Sequence, residues 1–107
     1  MKPCLSIIIP AYNEKSRFQN TLPQLKTFLE KLDFSWEVLI VDDGSTDDTK
    51  DFARKYFNES PCRILANQTS RGKGYSVKRG VLAAEGELIL ISDADFSTPL
   101  NDYYKLK

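Results

Sequence analysis

The sequence predicts an α/β fold, a three-layer α/β/α sandwich around a mostly parallel sheet. Three observations carry this. Four short apolar runs alternate with three segments of helical periodicity. The runs are near-continuous in apolar character, as in parallel strands covered on both faces, rather than alternating with polar residues. Polar loops follow three of the four runs. The order β-α-β-α-β-α-β implies right-handed crossovers with helices on both faces of one sheet.

Each element follows in turn. Residues 5–10, LSIIIP, read as a strand that Pro10 stops. Phe18, Leu22, Leu25, Phe28, Leu29 and Leu32 then recur at steps of three and four, which predicts an amphipathic helix within 15–32. Pro23 in its middle predicts a kink, or a helix that starts near Leu22. Residues 36–41, WEVLIV, form the second strand. Thr46 is the expected cap of the second helix, with Asp47 and Asp48 in the first turn, where the helix dipole favours negative charge. Phe52, Ala53 and Tyr56 should face the core. Residues 63–66, RILA, are a weaker third strand. A third helix is expected from about Lys73 to Ala84, with Gly86 as its stop signal. Residues 87–92, ELILIS, are the fourth strand. The closing NDYYKLK has no evident partner element, and four strands make a short sheet. The 107 residues are therefore read as a single unit, truncated from something longer.

Bulk composition excludes several function classes. Hydrophobic residues at 41% and charged residues at 28% are ordinary for a globular chain. Fifteen basic and fifteen acidic residues cancel, so no overall field draws the chain to nucleic acid or an anionic membrane. The chain has no histidine, which excludes a histidine base, a Ser–His triad and a histidine-ligated zinc. Cys4 and Cys62 stand in no metal-like spacing and read as reduced, partly buried thiols. Met1-Lys2-Pro3 runs straight into a strand rather than an apolar leader. No window approaches the ~20 apolar residues of a membrane helix. The chain itself is expected to be soluble and cytoplasmic.

In open parallel sheets, ligands bind beyond the carboxyl ends of the strands. PAYNE, DDGSTDD and DAD all fall there. Asp93 and Asp95 offer the hard oxygen donors that Mg²⁺ and Mn²⁺ prefer; the bland alternative is a solvated acidic turn. A carboxylate of Asp42 or Asp43 can accept from a base N–H or a ribose hydroxyl, while the other caps the following helix. Tyr12 could cover a planar base and Glu14 contact a ribose or base; otherwise this is a plain strand-to-helix turn with Asn13 or Glu14 at the helix start. The segment SRGKGYSVKRG, residues 70–80, brings Lys73 to a helix N-terminus suited to an anion, with Lys78 and Arg79 behind it. Its spacing is not that of a P-loop, and a basic loop leading to a solvated helix face is the alternative.

SIIIPAYNE, EVLIVDDGSTDDT, SRGKGYSVKRG and GELILISDADFSTP, in this order and spacing, resemble family 2 glycosyltransferases of the GT-A fold. That fold is a Rossmann-like architecture for nucleotide-diphospho-sugar transferases. The dolichyl-phosphate glucosyltransferase and polyprenyl-phosphate glycosyltransferase branch looks nearest, and the resemblance covers residues 5–100. It implies a UDP- or GDP-linked sugar donor, with UDP and glucose favoured, and a Mg²⁺ or Mn²⁺ cofactor. Position by position, Pro10, Tyr12 and Glu14 match the family's first nucleotide-contacting segment. Val41 and Asp43 match the second, which meets the base. Asp93, Ala94 and Asp95 match the metal- and nucleotide-binding DxD motif, with Asp93 and Asp95 toward the metal. The implied reaction is inverting transfer onto a polyprenyl or dolichyl phosphate, with the full-length protein at the cytoplasmic face of a membrane. The family's acceptor-binding half, with any catalytic base, is absent from these 107 residues, so transfer by this chain alone is not expected. The chemistry suits the composition. Charge builds on the departing nucleoside diphosphate, where a metal stabilises it. A phosphate acceptor is already anionic near neutral pH and requires no strong base.

Two other classes share parts of the pattern. A receiver-type phosphoacceptor domain also joins apolar strands to acidic residues, as in VLIVDDG and LILISDADF. It places its acidic pair after the first strand, however, and uses a later strand bearing Lys that is missing here. A nucleotidyltransferase carries a Gly-rich loop directly after the first strand, where this chain has PAYNE.

Overall fold

The computed structural model describes residues 3–57 and 61–92. Seven elements follow in order: β1 (Leu5–Ala11), α1 (Lys15–Glu30), β2 (Trp36–Asp42), α2 (Thr49–Tyr56), β3 (Cys62–Ala66), α3 (Lys73–Ala83) and β4 (Leu88–Ile91). The strands form one sheet in the order β3-β2-β1-β4, and every pair is parallel. The expected α/β class and element order are thus found, with boundaries shifted by a few residues.

The near-continuous apolar runs are explained by two-sided burial. Side chains alternate between faces along a strand. Leu5, Ile7, Ile9, Val38 and Ile40 pack with Phe18, Leu22, Leu25, Phe28 and Leu29 of α1 and Ala53 of α2. Ile8, Leu39 and Val41 point the other way and pack with Leu65, Ala83 and Ala84. Each such side chain taken fully out of water contributes about 1.5–3 kcal/mol. On the second face α3 comes very close to the sheet. A Cβ on Gly80 would lie 2.5 Å from the Ile8 Cγ2 and 3.2 Å from the Val41 Cγ2, so glycine sets the helix–sheet distance.

Four expectations need correction. Helix α1 starts at Lys15 and continues as one element through Pro23. Pro23 lies on the exposed face, so its ring and the backbone bond it forfeits face solvent rather than the core. Thr46 does not cap α2, which begins three residues later after Asp48. Instead the Thr46 N–H donates to Asn13 Oδ1 at 2.8 Å. Neither Asp42 nor Asp43 caps α2; both carboxylates are engaged elsewhere, as described below. Finally, β4 is not buried on both faces: Leu88, Ile89 and Ile91 are each more than 40% exposed. It is an edge strand, with no neighbour beyond it among the described residues.

Phe52 and Tyr56 are partly buried against the core and Ala53 is fully buried, as expected. Cys4 and Cys62 are free thiols, both partly buried, and burial pushes the Cys62 thiol up to about 12. No helix among the described residues is long and apolar enough to cross a membrane.

The sheet order places the loops. Connections through α1 and α2 build outward from β1 to β3, whereas α3 crosses the opposite face and delivers β4 to the far side of β1. The strand order therefore reverses between β1 and β4, and open α/β sheets hold their ligands at such a switch point, beyond the carboxyl ends.

Candidate functional site

The loop after β1 is built around Asn13, which has φ of 53°. Among non-glycine residues, asparagine tolerates this left-handed conformation best. The turn aims its side chain at the loop after β2. Asn13 Oδ1 accepts from the Thr46 N–H at 2.8 Å and the Asp47 N–H at 3.3 Å, and the Asn13 N–H donates to Ser45 Oγ at 2.9 Å. Ser45 Oγ in turn donates to Asp42 Oδ1. One residue further on, the Glu14 N–H donates to Thr49 Oγ1 at 2.9 Å, and that hydroxyl donates to Asp47 Oδ1. Two loops are thus fastened into one surface. Tyr12 stands on it half exposed, and Glu14 lies 3.6 Å from Arg17 Nη1.

Asp43 joins a third loop to this surface. Its carboxylate is buried and accepts four hydrogen bonds. Oδ1 takes the Arg71 N–H at 2.7 Å and Asn67 Nδ2 at 2.8 Å; Oδ2 takes Ser70 Oγ at 2.9 Å and the Gly72 N–H at 3.0 Å. Burial alone would raise its pKa, but these four donors outweigh it and hold the carboxyl below its ordinary value. Gly44 makes the close approach possible: its φ is 73°, and a Cβ there would sit 2.9 Å from the Ser70 N. Asn67 is equally committed, donating also to Ser76 Oγ at 3.0 Å and accepting from Arg79 Nη1 at 2.8 Å.

The sequence-derived site residues fall into distinct places. Pro10, Tyr12 and Glu14 lie at or beyond the end of β1, and Asp43 beyond the end of β2. Val41 is fully buried, packed with Ile8 and Leu39, so its side chain belongs to the core. Lys73 is the exposed first residue of α3. Arg79 is tied to the Ala66 carbonyl at 2.7 Å and to Asn67, and braces the loop from behind. Arg71 lies 5.5 Å from the Tyr75 ring centre. A cleft of about 500 Å³ lined by Asn67, Gln68, Thr69, Arg71, Tyr75 and Arg79 opens beside the end of β3, apart from Tyr12 and Glu14. Asp93, Ala94 and Asp95 lie outside the described residues. The backbone is described as far as Ser92, whose N–H donates to the Ile8 carbonyl at 2.9 Å and so lies alongside β1. Among the described residues there is no group of three or more acidic or cysteine side chains that could hold a metal.

Sequence reasoning missed Asn13 as the hub between loops, and Asn67 and Ser70 as partners of Asp43. The one signal available was Asn13 itself, a residue type suited to left-handed backbone directly after a strand.

The family model "Glycosyl transferase family 2" matches residues 6–106. The chain belongs to this family. It is 38% identical over 109 residues to the dolichyl-phosphate beta-glucosyltransferase ALG5A of Trichomonas vaginalis, covering 96% of this chain and 34% of that protein. It therefore spans about a third of the length of the curated relatives it matches. Among solved structures it resembles the mannosyltransferase PcManGT from Pyrobaculum calidifontis in complex with GDP-Man and Mn²⁺. The TM-score is 0.74, with 28% identity over 89% of this chain and 28% of that one. It also resembles S. aureus TarS 1-349 in complex with UDP, with a TM-score of 0.76, 32% identity, and coverage of 98% of this chain and 31% of the other. These neighbours support the expected fold, and the family membership opposes the receiver and nucleotidyltransferase alternatives.

Proposed function

We propose that this chain is the nucleotide-sugar-binding part of an inverting glycosyltransferase that moves glucose from a nucleotide-diphospho-sugar to a polyprenyl or dolichyl phosphate. The observation that carries the reading is the meeting of the β1 and β2 loops at the carboxyl edge of the sheet, beside the β1–β4 switch point. UDP is the favoured donor nucleotide. In this reading Tyr12, Glu14 and Asp43 hold the nucleoside, Pro10 and Val41 belong to the strand ends that carry them, and Lys73 faces the phosphates from the start of α3. Asp93, Ala94 and Asp95 directly follow Ser92, which lies alongside β1. Their two carboxylates are the hard oxygen donors that Mg²⁺ or Mn²⁺ takes. Asp93 and Asp95 would hold such an ion, which when bound neutralises charge on the departing diphosphate. The solved relative that carries GDP-Man and Mn²⁺ supports this pairing of nucleotide-sugar and metal. Acceptor contacts and any base belong to the remainder of a longer protein at the cytoplasmic face of a membrane.

Calorimetric titration of the chain with UDP and with GDP, each with Mn²⁺ and with EDTA, tests the reading. Metal-dependent binding of UDP is expected, and Asp95→Ala should remove the metal dependence. Equal affinity with Mn²⁺ and EDTA, or an unchanged metal response in Asp95→Ala, would overturn the assignment of Asp93 and Asp95.

A further inference from the structure

The charges of this chain cancel in sum but not in place. All fifteen acidic residues lie outside residues 60–84, whereas Arg63, Arg71, Lys73, Lys78 and Arg79 lie within them. That stretch carries β3, the loop after it and α3. Helices α1 and α2 pack on one face of the sheet and α3 on the other, so the α3 side of the molecule is the basic one. On the α1 and α2 side, cations are matched by acids. Lys15 lies 3.3 Å from Asp48, Arg17 3.6 Å from Glu14 and Arg54 3.9 Å from Asp51. On the α3 side, Arg63 is paired with Glu37, but among the described residues no carboxylate pairs with Arg71, Lys78 or Arg79. The oxygens that Arg79 Nη1 meets, of Ala66 and Asn67, are neutral and leave its charge uncompensated.

Apolar side chains stand among these cations. Tyr75, Lys78 and Leu82 recur at i, i+3 and i+7 and share the outer face of α3, away from the buried Ser76 and Gly80. Tyr75 is 48% exposed and Leu82 76%. A leucine standing outward from a basic helix face fits the boundary between lipid headgroups and acyl chains. Nucleic acid would engage the cations and stack on Tyr75, but it offers Leu82 no apolar environment. Arg71, Tyr75 and Arg79 also line the cleft beside β3, which sets two guanidinium groups where a phosphate can accept from both.

We propose that the outer face of α3 docks on an anionic lipid bilayer, with Arg71, Lys78 and Arg79 meeting the headgroups and Leu82 entering the boundary beneath them. The inference goes beyond the nucleotide-sugar reading and does not rest on it.

Flotation of the chain with phosphatidylcholine vesicles, with and without phosphatidylserine, tests the proposal. Binding is expected with phosphatidylserine alone and should weaken as NaCl is raised. Lys78→Gln should lower the vesicle partition coefficient about fivefold, and Arg71→Gln added to it about fivefold again. Leu82→Ser should lower it by a similar factor of about five with an unchanged salt dependence. These side chains are exposed, so each variant should melt like the wild type. Lys55→Gln makes the same charge change at an exposed position of α2 and should leave binding as it is. Equal losses in Lys55→Gln and Lys78→Gln would overturn the proposal, because the attraction would then not be local to α3. Absence of binding to the phosphatidylserine vesicles, or wild-type binding by Leu82→Ser, would overturn it as well. Tighter binding to a duplex oligonucleotide than to those vesicles at equal salt, indifferent to Leu82→Ser, would assign the face to nucleic acid instead. A chain that floats with these vesicles through α3 yet binds neither UDP nor GDP would support the docking face and remove the nucleotide reading alone.

Discussion

Asn13 shows how much a single side chain can settle at a loop crossing. Its backbone takes the left-handed turn that lets the chain leave β1, and its amide oxygen holds two amides of the β2–α2 loop. Removing the oxygen leaves the Thr46 and Asp47 amides to water or to nothing, and alanine is also poorly suited to a φ of 53°. Asn13→Ala should therefore destabilise the chain by about 1–3 kcal/mol, measured as a shift in urea midpoint at constant slope. Asn13→Gly restores the backbone freedom but not the acceptor, and should recover only part of the loss. On the proposed nucleotide-binding reading both variants should also weaken nucleotide binding, because Tyr12 and Glu14 flank the lost latch. If Asn13→Gly is as stable as wild type, the side-chain bonds contribute nothing and the latch is wrong.

At the scale of elements, the fit of α3 to the sheet depends on the absence of one side chain. A methyl group at residue 80 would overlap Ile8 and crowd Val41, both fully buried. Gly80→Ala gains helix propensity worth about 1 kcal/mol but overpacks the core at a cost of about 1–3 kcal/mol. Net destabilisation is expected, visible as a lower thermal midpoint, and a higher midpoint would show that α3 shifts freely on the sheet. Most elements were legible beforehand because strand burial and helix amphipathicity are written in local patterns. Ile7, Ile8 and Ile9 are apolar in succession because α1 and α2 cover one face and α3 the other. What was not legible depended on partners distant in sequence. Pro23 predicts a kink or a late helix start because the sequence does not reveal that its side of α1 faces solvent. Thr46 reads as a cap in sequence because its bond to Asn13 spans 33 residues and is invisible locally. ELILIS reads as a strand covered on both faces because composition does not distinguish the edge of a sheet from its middle. In the site, the clustering of polar loops at one edge was legible, but the engagement of Asp43 by residues 67–72 was not.

Across the whole molecule, two buried carboxylates at opposite edges of the sheet pin the two ends of α3. Asp43 holds the Arg71 and Gly72 amides just before the helix. Glu37, paired across the strands with Ser6, accepts from Ser6 Oγ at 2.6 Å, from the Glu85 N–H at 2.7 Å and from Arg63 Nη2 at 3.1 Å. Ser6 Oγ accepts the Gly86 N–H at 2.8 Å, and Arg63 also donates to the Ala83 carbonyl, so the helix exit is tied through the same group. Burial raises the pKa of each carboxyl, but their hydrogen bonds, with the Arg63 charge added at Glu37, hold both below their ordinary values of 4.5 and 3.8. A carboxyl whose folded pKa is depressed binds protons more readily when unfolded, so stability rises with pH through this range. Both contributions should be fully present above about pH 5 and fall away as pH drops below 4.5 for Glu37 and 3.8 for Asp43, toward their lower folded values. Glu37→Gln should accordingly be less stable than the wild type at pH 7, with a shallower fall in urea midpoint between about pH 5 and pH 3. The two curves should converge at the acid end, where the wild-type carboxyl is itself neutral. Parallel curves across this range would mean that Glu37 titrates alike in both states, and that α3 is held by its apolar face alone.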